Sequence, residues 1–163
     1  MQKTPVAIYV HIPFCKQKCL YCDFLSFCSD KEEHRSYVNN LLREIDCYKT
    51  DSIVVDSVFF GGGTPTVIET GLIEKILCKL RGSFVFSDEV EITIEANPGT
   101  CSKEKLSALF EGGFNRISFG FQSFKNSEQV LTPGLSSYDI ETLNDYLSIV
   151  KEKNPNVSLR GIE

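Results

Sequence analysis

No stretch of the 163 residues approaches membrane-spanning length, and no charged leader followed by an apolar run opens the chain at Met1–Val10. A bilayer span and a secretory route are therefore not expected, which points to the cytosol. A basic excess is also missing: 17 Lys and Arg stand against 22 Asp and Glu, a formal charge of -5. Nucleic acid and anionic membrane surfaces are disfavoured as partners, because both are recognised through clustered positive charge. Histidine is scarce, with only His11 and His34. The cysteines do not form an even, spread framework. They number seven, three fall at Cys15, Cys19 and Cys22, and Cys28, Cys47, Cys78 and Cys101 are scattered. An odd, clustered set in a chain without secretory features argues for metal or redox chemistry over disulfides.

Short apolar stretches alternate with segments of helical period, and no low-complexity linker interrupts them. This is the α/β pattern of one domain. Strands are expected at Val6–Ile12, Val54–Phe60, Val90–Ala96 and Arg116–Phe121, with a weaker one at Val157–Leu159. Helices are expected from about His34 to Tyr48, through Leu72, Ile73, Ile76, Leu77 and Leu80, through Leu106, Leu109 and Phe110 up to Gly112-Gly113, and from Ser137 to Lys151. Strands separated by helices of this length become parallel neighbours through right-handed crossovers, in a barrel or an open sheet. Two strands carry a polar face. Glu91, Thr93 and Glu95 oppose Ile92 and Ile94, while Arg116, Ser118, Gly120 and Gln122 oppose Ile117, Phe119 and Phe121. With the apolar faces under the helices, the polar faces look into a lumen holding water or ligand, unless solvent simply covers them.

Four motifs fall at expected strand ends. The loop after the first strand has the spacing C-x3-C-x2-C at Cys15, Cys19 and Cys22. A structural zinc site ordinarily has four ligands, so the fourth would have to be His11 or His34. Three thiolates on a cubane cluster leave one iron open to an exchangeable ligand. His11 itself, on a strand, reads as packed or hydrogen-bonded more readily than as a ligand. Phe59-Phe60-Gly61-Gly62-Gly63-Thr64-Pro65 closes the second strand, where glycines let the backbone approach a ligand and present N–H groups to it. Glu95-Ala96-Asn97-Pro98-Gly99 closes the third and sets a lumen-side carboxylate to accept hydrogen bonds. Gln122 closes the fourth. Parallel barrels build their sites from strand C-terminal ends, and all four motifs lie there.

The stretches YVHIPFC, YCDF, FFGGGTP, EITIEANPGT and NRISFGFQSF together resemble the HemW and oxygen-independent coproporphyrinogen III oxidase-like group of the radical-SAM superfamily, from about Val6 to Leu131. The resemblance implies a partial (β/α) barrel of the radical-SAM type. It further implies a 4Fe-4S cluster on Cys15, Cys19 and Cys22, whose open iron chelates S-adenosylmethionine for reductive cleavage to a 5′-deoxyadenosyl radical. By position it gives nucleotide contacts to Tyr9, Gly62, Gly63, Thr64, Glu95 and Gln122, and a place beside the adenine to Tyr21. The oxidases add a cysteine two residues after the third, where this chain has Phe24; CDF is the HemW-like form. A haem chaperone is therefore the expected activity, with haem as ligand and with a reductant protein and a haem acceptor as partners. The alternative is the oxidase, acting on a porphyrinogen; an alternative of another class is a non-catalytic metal-binding fragment. Beyond Leu131 the pattern departs from the family. Leu131-Thr132-Pro133-Gly134 stands where a Leu-Gly-Arg-like stretch is expected, and Arg160 stands near an expected aspartate. The family core has six strand–helix units and a C-terminal region; four to five units are read here. Residues 1–163 are thus expected to form the N-terminal part of such a core, as a fragment or truncated product, and the resemblance does not by itself make this chain an enzyme.

Overall fold

The computed structural model describes residues 4–19 and 22–120 and, further on, the helical positions Asp145, Ser148, Ile149, Lys151 and Glu152. The elements run β1 (Thr4–Ile12), α1 (Lys31–Cys47), β2 (Ile53–Gly62), α2 (Thr70–Ser83), β3 (Val85–Ala96), α3 (Lys103–Glu111) and β4 (Arg116–Phe119), with single 3₁₀ turns at Pro65–Val67 and Pro98–Thr100. The four strands are all parallel and stand in the order β1-β2-β3-β4. Stepping one strand at a time in one direction through right-handed crossovers places the connecting helices on one face, as in a barrel wall. Contacts between α1 and α2 and between α2 and α3 agree with that placement. This is a partial α/β barrel.

The core lies between sheet and helices. Val10 and Ile12, Val58 and Phe60, and Ile92, Ile94 and Ala96 supply the strand side; Val38 and Ile45 of α1, Leu72, Ile73, Ile76, Leu77 and Leu80 of α2, and Leu106 and Leu109 of α3 supply the helix side. Burying aliphatic side chains of this size is worth about 1.5–3 kcal/mol each relative to leaving them in water, so this layer dominates the stability. The opposite face of the sheet carries Tyr9 and His11, Phe59 and Gly61, Thr93 and Glu95, and Arg116 and Ser118. Register sets Tyr9, Phe59, Thr93 and Arg116 side by side across all four strands. That face is the polar one expected of a lumen. Thr93 is buried there, under an Arg116–Glu91 ion pair of 3.2 Å.

β1, β2 and β3 begin two, one and five residues before their expected starts, the pattern being interrupted in β2 and β3, while β4 begins at Arg116 as expected. Asp56 sits in a bulge of β2: Val55 pairs with Val6 and Phe86, and the next paired residue is Ser57, opposite Ala7 and Glu91. One extra residue reverses the alternation, so Val55 and Val58 both reach the core. In β3 the same partner skips from Phe86 to Glu91, which hides the early part of the strand.

α1 also starts before the expected His34. Asp30 is its N-cap, accepting from the amides of Glu32 and Glu33 at 2.9 Å each, and the two glutamates face the positive end of the helix dipole. α3 starts at the Ser102 cap and ends as its glycines imply. Gly113 has φ +102, its N–H donates to Phe110 O and that of Phe114 to Leu109 O, which is a Schellman closure. The turn delivers Phe114 into the core, edge-on to Phe60 at 5.0 Å. Of the helix expected over Ser137–Lys151, the described positions Asp145, Ser148, Ile149 and Lys151 are helical, and Ile149 packs on the core. The rest of that helix, Phe121 and the strand expected at Val157–Leu159 lie outside the described residues.

Candidate cofactor site

The cysteine loop leaves β1 through Pro13 and Phe14 and is closed at its base. Cys15 N–H donates to Phe27 O at 3.0 Å and Phe27 N–H to Pro13 O at 2.9 Å, a one-rung parallel bridge. Phe14 pins this base. It is buried against Phe27, Tyr37 and His34, with ring centroids 5.4, 5.2 and 4.4 Å away. Inside the loop the Lys18 ammonium donates to Phe24 O at 2.7 Å and Ser26 O at 3.2 Å, and Cys22 N–H donates to Cys19 O at 3.1 Å. Cys15, Cys19 and Cys22 are free thiols of intermediate exposure. Tyr21 lies outside the described residues.

The glycine motif continues the β1–β2 pairing into this loop. Gly63 N–H donates to Ile12 O at 2.9 Å and Thr64 N–H to Phe14 O at 2.8 Å. A Cβ on Gly63 would stand 2.6 Å from Phe14 O and 2.9 Å from Cys15 Sγ, closer than real Cβ atoms come. The second strand end is therefore pressed against the first cysteine, and only glycine permits it. The Thr64 hydroxyl lies 3.8 Å from the same sulfur, as a donor to it.

On the lumen face Glu95 Oε2 accepts from Gly62 N–H at 3.3 Å. Burial pushes this carboxyl above its usual range, while the Gly62 amide pulls part of the way back. Tyr9 stacks on Phe59, with centroids 6.0 Å apart and planes at 15°. Desolvation first, and the Glu95 charge second, hold its phenol above the ordinary value. The strand ends thus bring together Tyr9, Gly62, Gly63, Thr64, Glu95 and Cys15, as expected. Gln122 lies outside the described residues.

The two histidines behave as the strand pattern suggested for His11. Its Nδ1 is 3.3 Å from the Tyr9 hydroxyl and its Nε2 3.3 Å from Leu25 O, so it links β1 to the tip of the cysteine loop and covers Gly62. His34 is buried in α1 against Phe14, and desolvation lowers its pKa, opposed by Asp30, Glu33 and Glu69. From sequence Phe59 entered only as part of the glycine motif, and His11 only as a metal ligand weighed against a packed or hydrogen-bonded residue. Their signal was the alternation that also exposed Glu95, since both fall on the lumen side of their strands.

Among the described residues no three His, Cys, Asp or Glu side chains are gathered as a single ion requires. Tetrahedral zinc with bonds near 2.3 Å needs its sulfurs about 3.8 Å apart. A cubane cluster instead binds each thiolate through a different iron, so its ligands are spread along a loop. Three soft donors, one of them cradled against a glycine that a methyl group would displace, fit such a cluster.

A family model described as "Radical SAM superfamily" matches residues 9–163. The Heme chaperone HemW of Haemophilus influenzae is 38% identical over 132 residues, covering 76% of this chain and 34% of that protein. The HemW proteins of Escherichia coli and Bacillus subtilis are 38% and 39% identical, over 76% and 72% of this chain and 34% and 32% of their own lengths. Among solved structures, the coproporphyrinogen III oxidase HemN from Escherichia coli, a radical SAM enzyme, superposes with a TM-score of 0.81 at 29% identity, over 92% of this chain and 35% of that one. The chain spans about a third of the length of these relatives. Such membership implies, in general terms, a 4Fe-4S cluster and S-adenosylmethionine. Among the described residues no helix is long and apolar enough to cross a membrane. The chain belongs to the radical-SAM superfamily, in its HemW- and HemN-like branch.

Proposed function

We propose that Cys15, Cys19 and Cys22 hold a 4Fe-4S cluster whose fourth iron takes S-adenosylmethionine, and that the chain acts in haem handling as HemW proteins are named to do. The observation that carries this reading is the contact of Gly63 with Cys15, because it joins the cysteine loop to the glycine turn at one point on the sheet. Around that point each residue has a task. The glycine turn, its own N–H groups bonded to Glu95, Ile12 O and Phe14 O, lets the methionyl end of the cosubstrate approach its backbone, Glu95 accepts from the amine or ribose, and Tyr9 on its Phe59 support walls the nucleoside side. Tyr21 and Gln122, outside the described residues, are assigned to the same cosubstrate by the sequence resemblance. When bound, the cluster supplies the electron that cleaves the sulfonium. A carboxylate desolvated beside the turn gains most from a cationic amine, which restores the charge that burial penalises.

Haem transfer is favoured over porphyrinogen oxidation by Phe24, an exposed side chain where the oxidases resembled here place a further cysteine. A reductant protein and a haem acceptor are the partners of this reading. Cytoplasmic operation belongs to it as well, since free thiols and thiolate-held clusters need a reducing compartment. Anaerobic reconstitution followed by electron paramagnetic resonance of the reduced cluster, with and without S-adenosylmethionine, tests the cosubstrate; a signal that ignores the addition refutes it. Haem titration of the same preparation then tests the chaperone role, which fails if no stoichiometric haem band develops.

A further inference from the structure

The turn after β2 and the turn after β3 each carry part of the site, Gly62–Thr64 on one and Glu95 at the root of the other. Their separation is not fixed by β-pairing alone, because the paired register of β2 and β3 ends at Phe60 and Ile94. Beyond that rung the two chains are joined by side chains. Thr66, almost fully buried, places its hydroxyl 2.5 Å from that of Thr100. The Thr100 hydroxyl donates to Asn97 O at 2.9 Å, so the proton between the two hydroxyls comes from Thr66. Asn97 in turn closes its own turn, with Oδ1 accepting from Gly99 N–H at 2.9 Å and its carbonyl from Thr100 N–H at 2.9 Å.

A third group locks the pair from outside. Lys105 rises from the first turn of α3 and donates to Thr66 O at 2.5 Å and Ile68 O at 2.7 Å, the carbonyls of the segment that follows Gly63-Thr64-Pro65. Its ammonium is mostly desolvated, which lowers its pKa against the pull of Cys101 and Glu69. Burying a cation is costly unless it is fully used, and a lysine on a surface helix has the cheaper option of pointing to water. Here it bonds two backbone oxygens of a neighbouring turn, as a fixed strut between α3 and the glycine motif.

We propose that Lys105, Thr66 and Thr100 form a positioning latch that sets the gap between the Gly62–Thr64 turn and Glu95, and so sets the affinity for S-adenosylmethionine without holding the cluster. The inference rests on the cosubstrate reading above. None of the hydrogen bonds of the latch runs to Cys15, Cys19 or Cys22. Loosening it lets Glu95 and the glycine turn drift apart, so the loss falls on binding of the cosubstrate and not on iron content.

The test uses the reconstituted protein and four variants: Lys105→Met, which keeps the stem and removes the donor, Lys105→Gln, and the pair Thr100→Val and Thr100→Ser. Iron per chain, the dissociation constant for S-adenosylmethionine and the resonance of the reduced cluster are read for each. Both Lys105→Met and Thr100→Val are expected to keep wild-type iron; Lys105→Met should bind S-adenosylmethionine about tenfold or more weakly, the size expected for bonds from a charged group, and Thr100→Val, which loses neutral bonds, about fivefold more weakly. Thr100→Ser, which retains the hydroxyl, restores wild-type affinity, and Lys105→Gln falls between. If Lys105→Met gives no cooperative melt, the Thr100 pair decides. Wild-type affinity in Thr100→Val, or a loss of iron in parallel with the loss of affinity, overturns the latch. A wild-type cluster that ignores S-adenosylmethionine overturns the underlying reading, and the latch with it.

Discussion

Replacing Gly63 by alanine introduces one methyl group at the point where the cysteine loop and the glycine turn meet. The new Cβ would lie 2.6 Å from Phe14 O and 3.0 Å from Phe14 C, both backbone atoms, so no rotamer relieves the contact. The carbonyl must recede by at least 0.4 Å, the difference between 2.6 Å and the 3.0 Å below which real Cβ atoms are essentially not found. That carbonyl accepts Thr64 N–H at 2.8 Å, and the adjacent rung is Gly63 N–H to Ile12 O at 2.9 Å. Weakening both rungs, at about 1 kcal/mol net each, costs about 2 kcal/mol. For a chain of this size that lowers the melting temperature by about 4–8 °C. The methyl group also meets Cys15 Sγ at 2.9 Å, so iron retained after anaerobic reconstitution should fall together with stability. Gly82→Ala is the control: it lies in α2 with nothing within 4 Å of its Cβ and should stabilise by about 0.5–1 kcal/mol. Thermal melts and iron assays of the two variants decide the matter. A Gly63→Ala protein that melts with wild type and keeps its iron refutes the reasoning.

Three further outcomes follow from single groups. Glu95→Gln should stabilise the cluster-free protein at pH 7.5 while weakening S-adenosylmethionine binding. A carboxyl with a raised folded pKa adds stability that is complete below the unfolded carboxylate range and lost as pH rises through the folded value. Melts at pH 7.5 and pH 4 check this, since the advantage of glutamine should vanish at the lower pH. His34 titrates in the opposite sense, with burial depressing its folded pKa, so stability holds above the unfolded imidazole value near 6.5 and falls as pH drops below it. His34→Phe should flatten the urea midpoint between pH 7.5 and 5.5; an unchanged slope would exclude His34 as the cause. Asp30→Ala removes the acceptor of two amides at the start of α1 and should cost about 1–2 kcal/mol in urea unfolding, with Asp30→Ser recovering most of it.

The long apolar stripes were readable directly. Leu72, Ile73, Ile76, Leu77 and Leu80 announced α2, and the polar alternation Glu91, Thr93, Glu95 announced a lumen face, because burial enforces those periods. The beginning of β3 was not readable, since the residues skipped between Phe86 and Glu91 break the alternation that marks a strand, whereas β4 starts at Arg116 as read. The start of α1 was missed by relying on apolar spacing alone. Asp30 and Glu33 carried the information, as cap and acidic first turn. At the site, Tyr9, Gly62, Gly63, Thr64, Glu95 and Cys15 stand together, Tyr21 and Gln122 lie outside the described residues, and Lys105, Thr66 and Thr100 escaped notice. A lysine in a helix reads as solvated, and a threonine after proline reads as turn. Only the three-dimensional crossing of two loops and a helix shows that they bond to one another.

Quantifying iron and sulfide in the anaerobically reconstituted protein, alongside Cys15→Ala, Cys19→Ala and Cys22→Ala, tests the cluster assignment most directly. Wild type is expected to take up four irons and four sulfides per chain with the visible absorption of a 4Fe-4S centre. Each single variant should lose most of that absorption, while Cys28→Ala should keep it. A colourless wild-type protein that binds one zinc instead, or cysteine variants that reconstitute as fully as wild type, would contradict it.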